Sequence, residues 1–298
     1  MASSGLNKKK LIYLILALIL VSGGVLDYIF DVPAAPEVVL LKRSSEIGEQ
    51  PDMMISRSCS QLTDGSSPVD EQGNLNVLVW NIYKENRSDW SQALSHFSQD
   101  KQLVLLQESS LSPGFQSWLK DNPRWQAVQA HAFSLFDKGM GVMTLSGYLP
   151  LSSCAYLEME PWIRLPKSAL LSYYPLSDQQ TLAVVNIHSV NFTLGIKSYQ
   201  EQLEQLAGKV KSHIGPVIFA GDFNSWSEDR IISLQRVMSG LSMSEVTYPS
   251  PDSRKQFDGY PLDHLFYRGL TLNQAGVPET SASDHNPIQV SFSLEASQ

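Results

Sequence analysis

Residues 219–226 read FAGDFNSW and complete the apolar run PVIFA of residues 216–220. A short apolar run followed by turn residues is typical of a buried strand. Asp222 and Asn224 lie two residues apart at its end and can point to the same side. A carboxylate and an amide placed in this way can hold a water molecule and a phosphoryl oxygen together. Because Gly-Asp turns after strands are common, this stretch needs support from the rest of the chain.

A second motif, SDHNP at residues 283–287, precedes the alternating apolar residues of a final strand. The imidazole of His285 can accept or donate a proton near neutral pH. Asp284 can bind a metal ion or orient the ring. The alternative interpretation is a turn before the last strand, shaped by Asp284 and Pro287.

Three further apolar runs end in a chemically capable side chain. Residues 75–81 end in Asn81, residues 103–108 end in Glu108, and residues 181–188 end in His188, with Asn191 three residues later. Together with the two motifs above, these endings predict that polar groups converge on one edge of a core.

The order of these residues resembles the endonuclease/exonuclease/phosphatase superfamily, which includes deoxyribonuclease I, exonuclease III, neutral sphingomyelinases and inositol polyphosphate 5-phosphatases. The resemblance covers about residues 75–293. Within the superfamily, the phrases VWNIYKENR, LVLLQES, RLPKSAL, VVNIHSVNFTLG, GDFNSW and SDHNP look closest to bacterial YafD-type proteins. The matching positions are Asn81, Glu108, His188, Asp222, Asn224, Asp263, Asp284 and His285.

The resemblance implies a four-layer α/β sandwich, in which two mixed β-sheets are flanked by helices. Periodicity alone predicts only one α/β domain. We expect helices at 88–98, 198–213 and 227–238. We expect strands at about 76–81, 103–108, 125–130, 140–145, 168–174, 181–188, 216–221, 243–247, 262–267 and 287–293. Residues 75–298 are the predicted catalytic domain, and the proline-rich and polar residues 31–74 are predicted to be a linker and domain entrance.

A metal site is predicted from Glu108, assisted by Asn81 and Asp284. Hard oxygen donors and the lack of a compact Cys/His cluster favour Mg²⁺, with Mn²⁺ as a plausible substitute. Such an ion would neutralise a phosphate oxygen and the charge that develops on the leaving group.

The resemblance also implies roles in proton transfer. His285 would contact the scissile phosphate or take a proton from the attacking water, and Asp263 would orient its ring. Asp222 would orient or deprotonate that water, so the base is either Asp222 or His285. Asn224 would hold the transition state, and His188 is a candidate acid for the departing oxygen.

Two residues are predicted to bind substrate. Arg164 is a candidate phosphate contact, with ordinary surface charge as the alternative. Asn191 follows the strand that ends in His188 and is the other candidate.

The N-terminal residues 1–30 are predicted to be a hydrophobic anchor or signal segment. Three lysines at 8–10 precede eleven apolar residues at 11–21, and a second apolar run at 25–30 contains one aspartate. Lysines before an apolar segment favour a cytoplasmic N-terminus. The catalytic domain would then be anchored at the inner membrane or exported, outside the cytoplasm. The alternative is a buried helix in a cytoplasmic protein.

Composition restricts the partners and the compartment. The chain has 298 residues, 43% of them apolar, which is enough for a substantial core. Its formal net charge of −8 argues against avid, sequence-independent binding of nucleic acid. Cys59 and Cys154 are too few for a thiolate zinc site, and they could form one disulfide in an exported protein.

Three function classes follow from the sequence. The first is a Mg²⁺-dependent phosphodiesterase acting on nucleic acid. The second is a phosphatase or sphingomyelinase-like hydrolase of a phosphorylated lipid or small molecule, which the apolar N-terminal segment favours. The third is a catalytically silent binding module at the membrane, and no protein partner is inferred.

Overall fold

Two large β-sheets lie face to face in the computed structural model, which describes residues 30–43, 51–61, 67–193 and 195–295. The four helices of these ranges are α1 (Trp90–Ser98), α2 (Pro113–Asp121), α3 (Lys197–Val210) and α4 (Glu228–Gly240). The strands are β1 (Phe30–Asp31), β2 (Glu37–Lys42), β3 (Asp52–Arg57), β4 (Cys59–Gln61), β5 (Asn74–Asn81), β6 (Leu103–Ser110), β7 (Gln126–Leu135), β8 (Lys138–Ser146), β9 (Ser152–Met159), β10 (Pro166–Pro175), β11 (Thr181–His188), β12 (Val217–Asp222), β13 (Ser244–Glu245), β14 (Gln256–Phe257), β15 (Tyr260–Pro261), β16 (Asp263–Arg268), β17 (Leu270–Gly276) and β18 (Ile288–Leu294).

Both large sheets are mixed. The nine-stranded sheet has the order β17-β18-β5-β6-β8-β7-β2-β3, and β1 also pairs with β7. The seven-stranded sheet has the order β13-β16-β12-β11-β10-β9-β4, while β14 and β15 form a separate hairpin. The pairs β5–β6 and β11–β12 are parallel. The C-terminal ends of β5 and β6 therefore meet at one edge of the first sheet, and those of β11 and β12 meet at one edge of the second.

Alternation along the central strands creates the layers. On β5, Val77 and Val79 pack between the sheets, while Leu78 and Trp80 pack on the opposite face with α1 and α2. Strand β11 alternates in the same way between the inter-sheet core and the face covered by α3 and α4. Since side chains on a strand alternate between faces, each sheet buries both sides. The predicted four-layer sandwich is confirmed.

The described part of residues 31–74 differs from the predicted linker. Strand β2 pairs with β7 in the first sheet, and β4 pairs with β9 in the second. Val38 and Leu40 pack with Val128 in the core, and a disulfide joins Cys59 to Cys154. The apolar run at residues 38–41 lacks alternation because all four of its residues are buried.

Other differences arise where the local signal is weak. Helix α2 begins at a Ser112 cap, whose hydroxyl accepts a hydrogen bond from the Phe115 amide, with Pro113 in the first turn. Its nine residues contain a glycine, and no helix was expected there. Strands β9 and β17 were not predicted either, because both carry many polar residues.

The predicted anchor falls almost entirely on residues 1–29, which lie outside the described ranges. Among the residues that the structure describes, no helix combines the length and the apolar character needed to cross a bilayer.

Candidate active site

Four of the predicted residues, at or near the ends of neighbouring strands, meet in one concavity, the polar pocket, with a volume of about 440 Å³. Strands β5, β6, β11 and β12 end there, and β16 begins there because Asp263 pairs directly with Asp222. The predicted residues that line the pocket are Asn81, Glu108, His188, Asn191, Asp222, Asn224, Asp284 and His285.

Local backbone geometry directs two of these carboxylates. Gly221 has a φ of 145°, and a Cβ at this position would lie 1.9 Å from the carbonyl oxygen of Ile187. Only glycine therefore allows β12 to approach β11 this closely immediately before Asp222. Glu108 has a φ of 52°, in a segment where the pairing of β6 with β8 shifts register. Such an irregularity changes the direction of a side chain, and backbone strain of this kind is common at functional sites.

Asp263 and His285 form a buried pair. An oxygen of Asp263 lies 2.7 Å from Nδ1 of His285. The Trp80 indole donates to the His285 carbonyl oxygen over 2.9 Å, and the His285 amide donates to the Ser283 hydroxyl. Burial alone would lower the pKa of His285, but the adjacent charge of Asp263 and its hydrogen bond raise that pKa to about 10. His285 is therefore an imidazolium at neutral pH.

Asp222 lies on the other side of the pocket floor. It accepts a hydrogen bond from the Asn81 side-chain amide over 3.0 Å and one from the Asn224 backbone amide over 2.9 Å. Its carboxylate is 4.0 Å from Nε2 of His285. Burial raises the pKa of Asp222 to about 6, against the opposing effect of the His285 charge. Asp222 is thus ionised at neutral pH, yet basic enough to accept a proton.

A lysine that was not among the predicted site residues reaches the same pocket. Lys167, on β10, places Nζ 2.8 Å from Nε2 of His188. Burial and the charges of Lys167 and Lys84 hold the pKa of His188 well below its usual value. His188 is therefore neutral, and its Nε2 accepts a hydrogen bond from Lys167. In this arrangement Lys167, rather than His188, presents a proton to the pocket.

The residues present fit a hard divalent cation. Glu108 carries a carboxylate at the pocket wall, and Lys84 neutralises it with Nζ 2.5 Å from Oε2. The Asn81 amide and Asp284 add oxygen donors to the same lining. A cation here would have oxygen ligands, which suits Mg²⁺ or Mn²⁺. Asp222, Asp263 and His285 also bring ligand atoms within 4.8 Å of one another, but Asp263 and His285 already bond to each other.

The two predicted substrate-binding residues are placed differently. Arg164 is exposed, and it is not among the residues that line the pocket. Asn191 lines the pocket, and its side-chain oxygen accepts a hydrogen bond from the Trp226 indole over 2.9 Å.

A buried polar network lies beside the pocket and includes residues of the loop between β13 and β14. His264 bonds to Glu245 over 2.6 Å and to the Ser225 hydroxyl over 2.8 Å. Arg254 bonds to Asp252 and Glu245, and its guanidinium stacks on Tyr248. These contacts give Arg254 a structural role in supporting β16.

Lys84 and Lys167, which were not among the predicted site residues, belong to two of the sequence phrases that carried the resemblance, VWNIYKENR and RLPKSAL. Their position in those phrases was the available signal. Strand alternation could not show that both lysines point into the pocket.

The sequence of residues 78–285 matches the family model described as Endonuclease/Exonuclease/phosphatase family. The chain belongs to this family. A relative, a UPF0294 protein of Vibrio parahaemolyticus, is 48% identical over 267 residues, which cover 89% of this chain and 92% of the relative. The UPF0294 proteins are the YafD-type group, so the predicted resemblance is confirmed.

Solved structures of the endonuclease/exonuclease/phosphatase fold also superpose on this chain. The structure of D. rerio TDP2 complexed with single-strand DNA product superposes with a TM-score of 0.56 and 18% sequence identity. The superposition covers 74% of this chain and 98% of the TDP2 chain. A mannosyl-6-phosphatase of Bacteroides thetaiotaomicron superposes with a TM-score of 0.56 and 18% sequence identity. The superposition covers 73% of this chain and 99% of the phosphatase chain. At this identity the likeness shows the fold alone. Members of the family are phosphoester hydrolases and usually depend on a metal ion.

Proposed function

We propose that this protein is a Mg²⁺-dependent phosphodiesterase. The observation that carries the proposal is the pairing of an imidazolium, His285, with an ionised carboxylate of raised pKa, Asp222, across a pocket that also holds Glu108. Two titratable groups whose pKa values are pushed apart can act as an acid and a base at the same pH. The catalytically silent module has no comparable use for this arrangement.

The pocket residues divide the chemistry among them. Asp222 takes the proton of the attacking water, because its carboxylate is ionised at neutral pH and burial raises its pKa to about 6. The charged His285 and Lys167 stabilise the additional negative charge of the pentacovalent transition state, and His285 gives its proton to the departing oxygen as the phosphorus–oxygen bond breaks. Asn224 holds a phosphoryl oxygen, and neutral His188 fixes the position of Lys167. When bound, Mg²⁺ would be held by Glu108, Asn81 and Asp284 and would supply Lewis-acid stabilisation of the phosphate.

The sequence leaves two substrate classes, nucleic acid and a phosphorylated lipid or small molecule. The fold does not decide between them, since one structural neighbour holds a DNA product and another is named a sugar phosphatase. The net charge of −8 supports the second class. The pocket itself specifies only the phosphate.

We also propose that the domain works outside the cytoplasm. The disulfide between Cys59 and Cys154 supports this location, because such bonds persist in oxidising compartments. Protease added to intact spheroplasts should degrade the domain, and protection until lysis would contradict this location.

The test of the activity is hydrolysis of bis(p-nitrophenyl) phosphate by the full chain in detergent, with Mg²⁺ and with EDTA. We expect turnover with Mg²⁺, none with EDTA, and none for His285→Ala. The matched control is His96→Ala, an exposed histidine on α1, which should hydrolyse the diester as the unaltered chain does. A folded chain without turnover, or equal turnover with EDTA, would reject the proposed function.

A further inference from the structure

A second concavity, which we call the apolar groove, adjoins the polar pocket and has a volume of about 670 Å³. Its apolar walls come from three separate loops and the short strand β14. They consist chiefly of Trp162, Ile163, Phe192, Trp226 and Phe257.

Large apolar side chains remain exposed along this groove. The exposed fractions are 63% for Trp162, 48% for Ile163, 54% for Phe192 and 62% for Phe257. Isolated exposed apolar residues are ordinary, but a contiguous group marks a site of interaction with a ligand, a membrane or a protein.

The polar groups of the groove are directed into the protein. The Trp226 indole donates to Asn191, the Thr193 hydroxyl donates to the Gly195 carbonyl, and the Asn224 amide donates to the Ser189 carbonyl. Among the described residues, none that lines the groove carries a charge. The groove therefore presents mainly ring faces and alkyl carbon to its occupant.

Buried charged residues hold the walls in place. Glu160 is buried, and one of its oxygens accepts hydrogen bonds from the backbone amides of Asn191 and Phe192 over 2.5 and 3.3 Å. This carboxylate ties the turn that carries Trp162 to the loop that carries Phe192. Arg230, also buried, donates to the carbonyl oxygens of Val190, Asn191 and Asn224. The groove is thus a formed surface that needs no rearrangement to accept a ligand.

The groove and the polar pocket are continuous. Ile163, Phe192 and Asn224 line both. A molecule with its phosphate beside Asp222 and His285 would therefore extend its organic substituent directly into the groove.

The chemistry of the groove favours hydrocarbon. A groove for single-stranded nucleic acid combines stacking rings with cations that follow the phosphate backbone. The described lining of the apolar groove has the rings without the cations. Exposed indole and phenyl rings are also well suited to a bilayer interface, where the apolar residues 11–30 would hold the chain.

We propose that the apolar groove binds an acyl chain of a phospholipid whose phosphodiester group lies in the polar pocket. The proposal names the substrate class of the site and rests on the proposed function. It assigns Trp162, Ile163, Phe192 and Phe257 to substrate binding, and it assigns Glu160 to positioning the two loops that carry three of them.

The experiment is photolabelling of the full chain in phosphatidylcholine vesicles. The vesicles contain phosphatidylcholine with a diazirine in one acyl chain, and EDTA prevents turnover. After irradiation, reduction and trypsin digestion, label should appear in the peptides 139–164, 168–197 and 256–268, which hold the exposed groove residues. Label in the peptide 11–42 reports contact of the N-terminal segment with the bilayer.

Two isoleucine variants make the test specific. Ile163→Asp should lower the labelling of the groove peptides about tenfold, because a charge in the groove opposes burial of hydrocarbon. Ile214→Asp is the matched control, since Ile214 is fully exposed and precedes β12 at the end away from Asp222. Its labelling should equal that of the unaltered chain. If circular dichroism shows that Ile163→Asp is unfolded, Phe257→Asp replaces it.

Three results would overturn the proposal. They are label confined to the peptide 11–42, equal groove labelling in Ile163→Asp and the unaltered chain, and loss of groove labelling on addition of single-stranded oligothymidylate. The last result would identify nucleic acid as the occupant. Because labelling is measured without turnover, groove labelling in a chain that fails to hydrolyse the soluble diester would reject the proposed function and leave the lipid site standing.

Discussion

The polar pocket and the apolar groove share a wall but direct their polar atoms in opposite ways. In the pocket, Asp222, His285 and Lys167 are paired with one another or with neighbours and still face the space where a phosphate would lie. In the groove, Trp226 and Thr193 turn their donors into the protein. One surface is therefore equipped for charge and proton transfer, and the other for desolvation of an apolar group. The two surfaces therefore divide the reaction chemistry from the selection of the substrate.

The largest effect is expected from removing the pocket carboxylate that would hold the metal. Glu108→Gln keeps the shape of the side chain and loses its charge, so kcat should fall about 10³-fold because several kcal/mol of charge stabilisation are lost. Diester hydrolysis and a Mg²⁺ titration measure this effect. Glu71→Gln, an exposed glutamate outside the pocket, should behave as the unaltered chain does. Equal loss in both variants would contradict the assignment.

Acid should inactivate the pocket while leaving the groove unaffected. Asp222 must be ionised to accept a proton, and its pKa is raised to about 6. With Mg²⁺ saturating, kcat/KM should therefore fall about tenfold per pH unit below pH 6. It should stay level above that value until His285 loses its proton near pH 10. A decline beginning near neutral pH on the alkaline side would instead indicate that His285 has an ordinary pKa.

A smaller effect is expected for the lysine beside His188. Lys167→Met should lower kcat about 10- to 100-fold, because one of the positive charges facing the phosphate is lost. It should also raise the pKa of His188, since the Lys167 charge is one of the causes that lower it. NMR titration of the His188 ring reads this second effect directly. Lys197→Met is the control, because Lys197 is a highly exposed lysine on α3. If the pKa of His188 is the same in Lys167→Met and in the unaltered chain, the proposed contact between Lys167 and His188 in the pocket is wrong.

The smallest effect on the reaction is expected at the wall of the groove. Glu160→Ala removes the acceptor for two backbone amides, so the free energy of unfolding should fall by about 1–3 kcal/mol. Hydrolysis of the soluble diester should change less than about tenfold, because no reacting atom is touched. Glu160→Gln retains a carbonyl acceptor and should recover most of the stability in urea denaturation. A loss in Glu160→Gln equal to that in Glu160→Ala would show that the negative charge itself is required.

Several structural features could be predicted from the sequence because they depend on residues within one short segment. The apolar runs that end in Asn81, Glu108, His188 and Asp222 predicted strands that the structure contains. The helix predicted at 198–213 corresponds to α3, on which the regularly spaced apolar residues Leu203, Leu206 and Val210 are buried. Both predictions depend only on the alternation or periodicity of apolar residues within one segment.

Features that depend on pairing between distant segments could not be predicted from the sequence. The strand at residues 37–42 has no alternation because it packs on both faces, and its partner β7 lies about ninety residues away. Arg164 and Lys167 are three residues apart, yet only Lys167 lines the pocket. The apolar groove combines Trp162, Phe192 and Phe257, which no sequence spacing connects.

The order of residues along the chain was enough to predict the family, the α/β layers and the side chains at the strand ends, because a strand presents its residues in a fixed order and the motifs recur in that order. The tertiary structure alone decided how those side chains act on one another. The ionised state of His285 follows from its contact with Asp263, and the neutral state of His188 follows from burial and from Lys167. Charge interactions and burial depend on distances through space, and only the folded chain sets those distances.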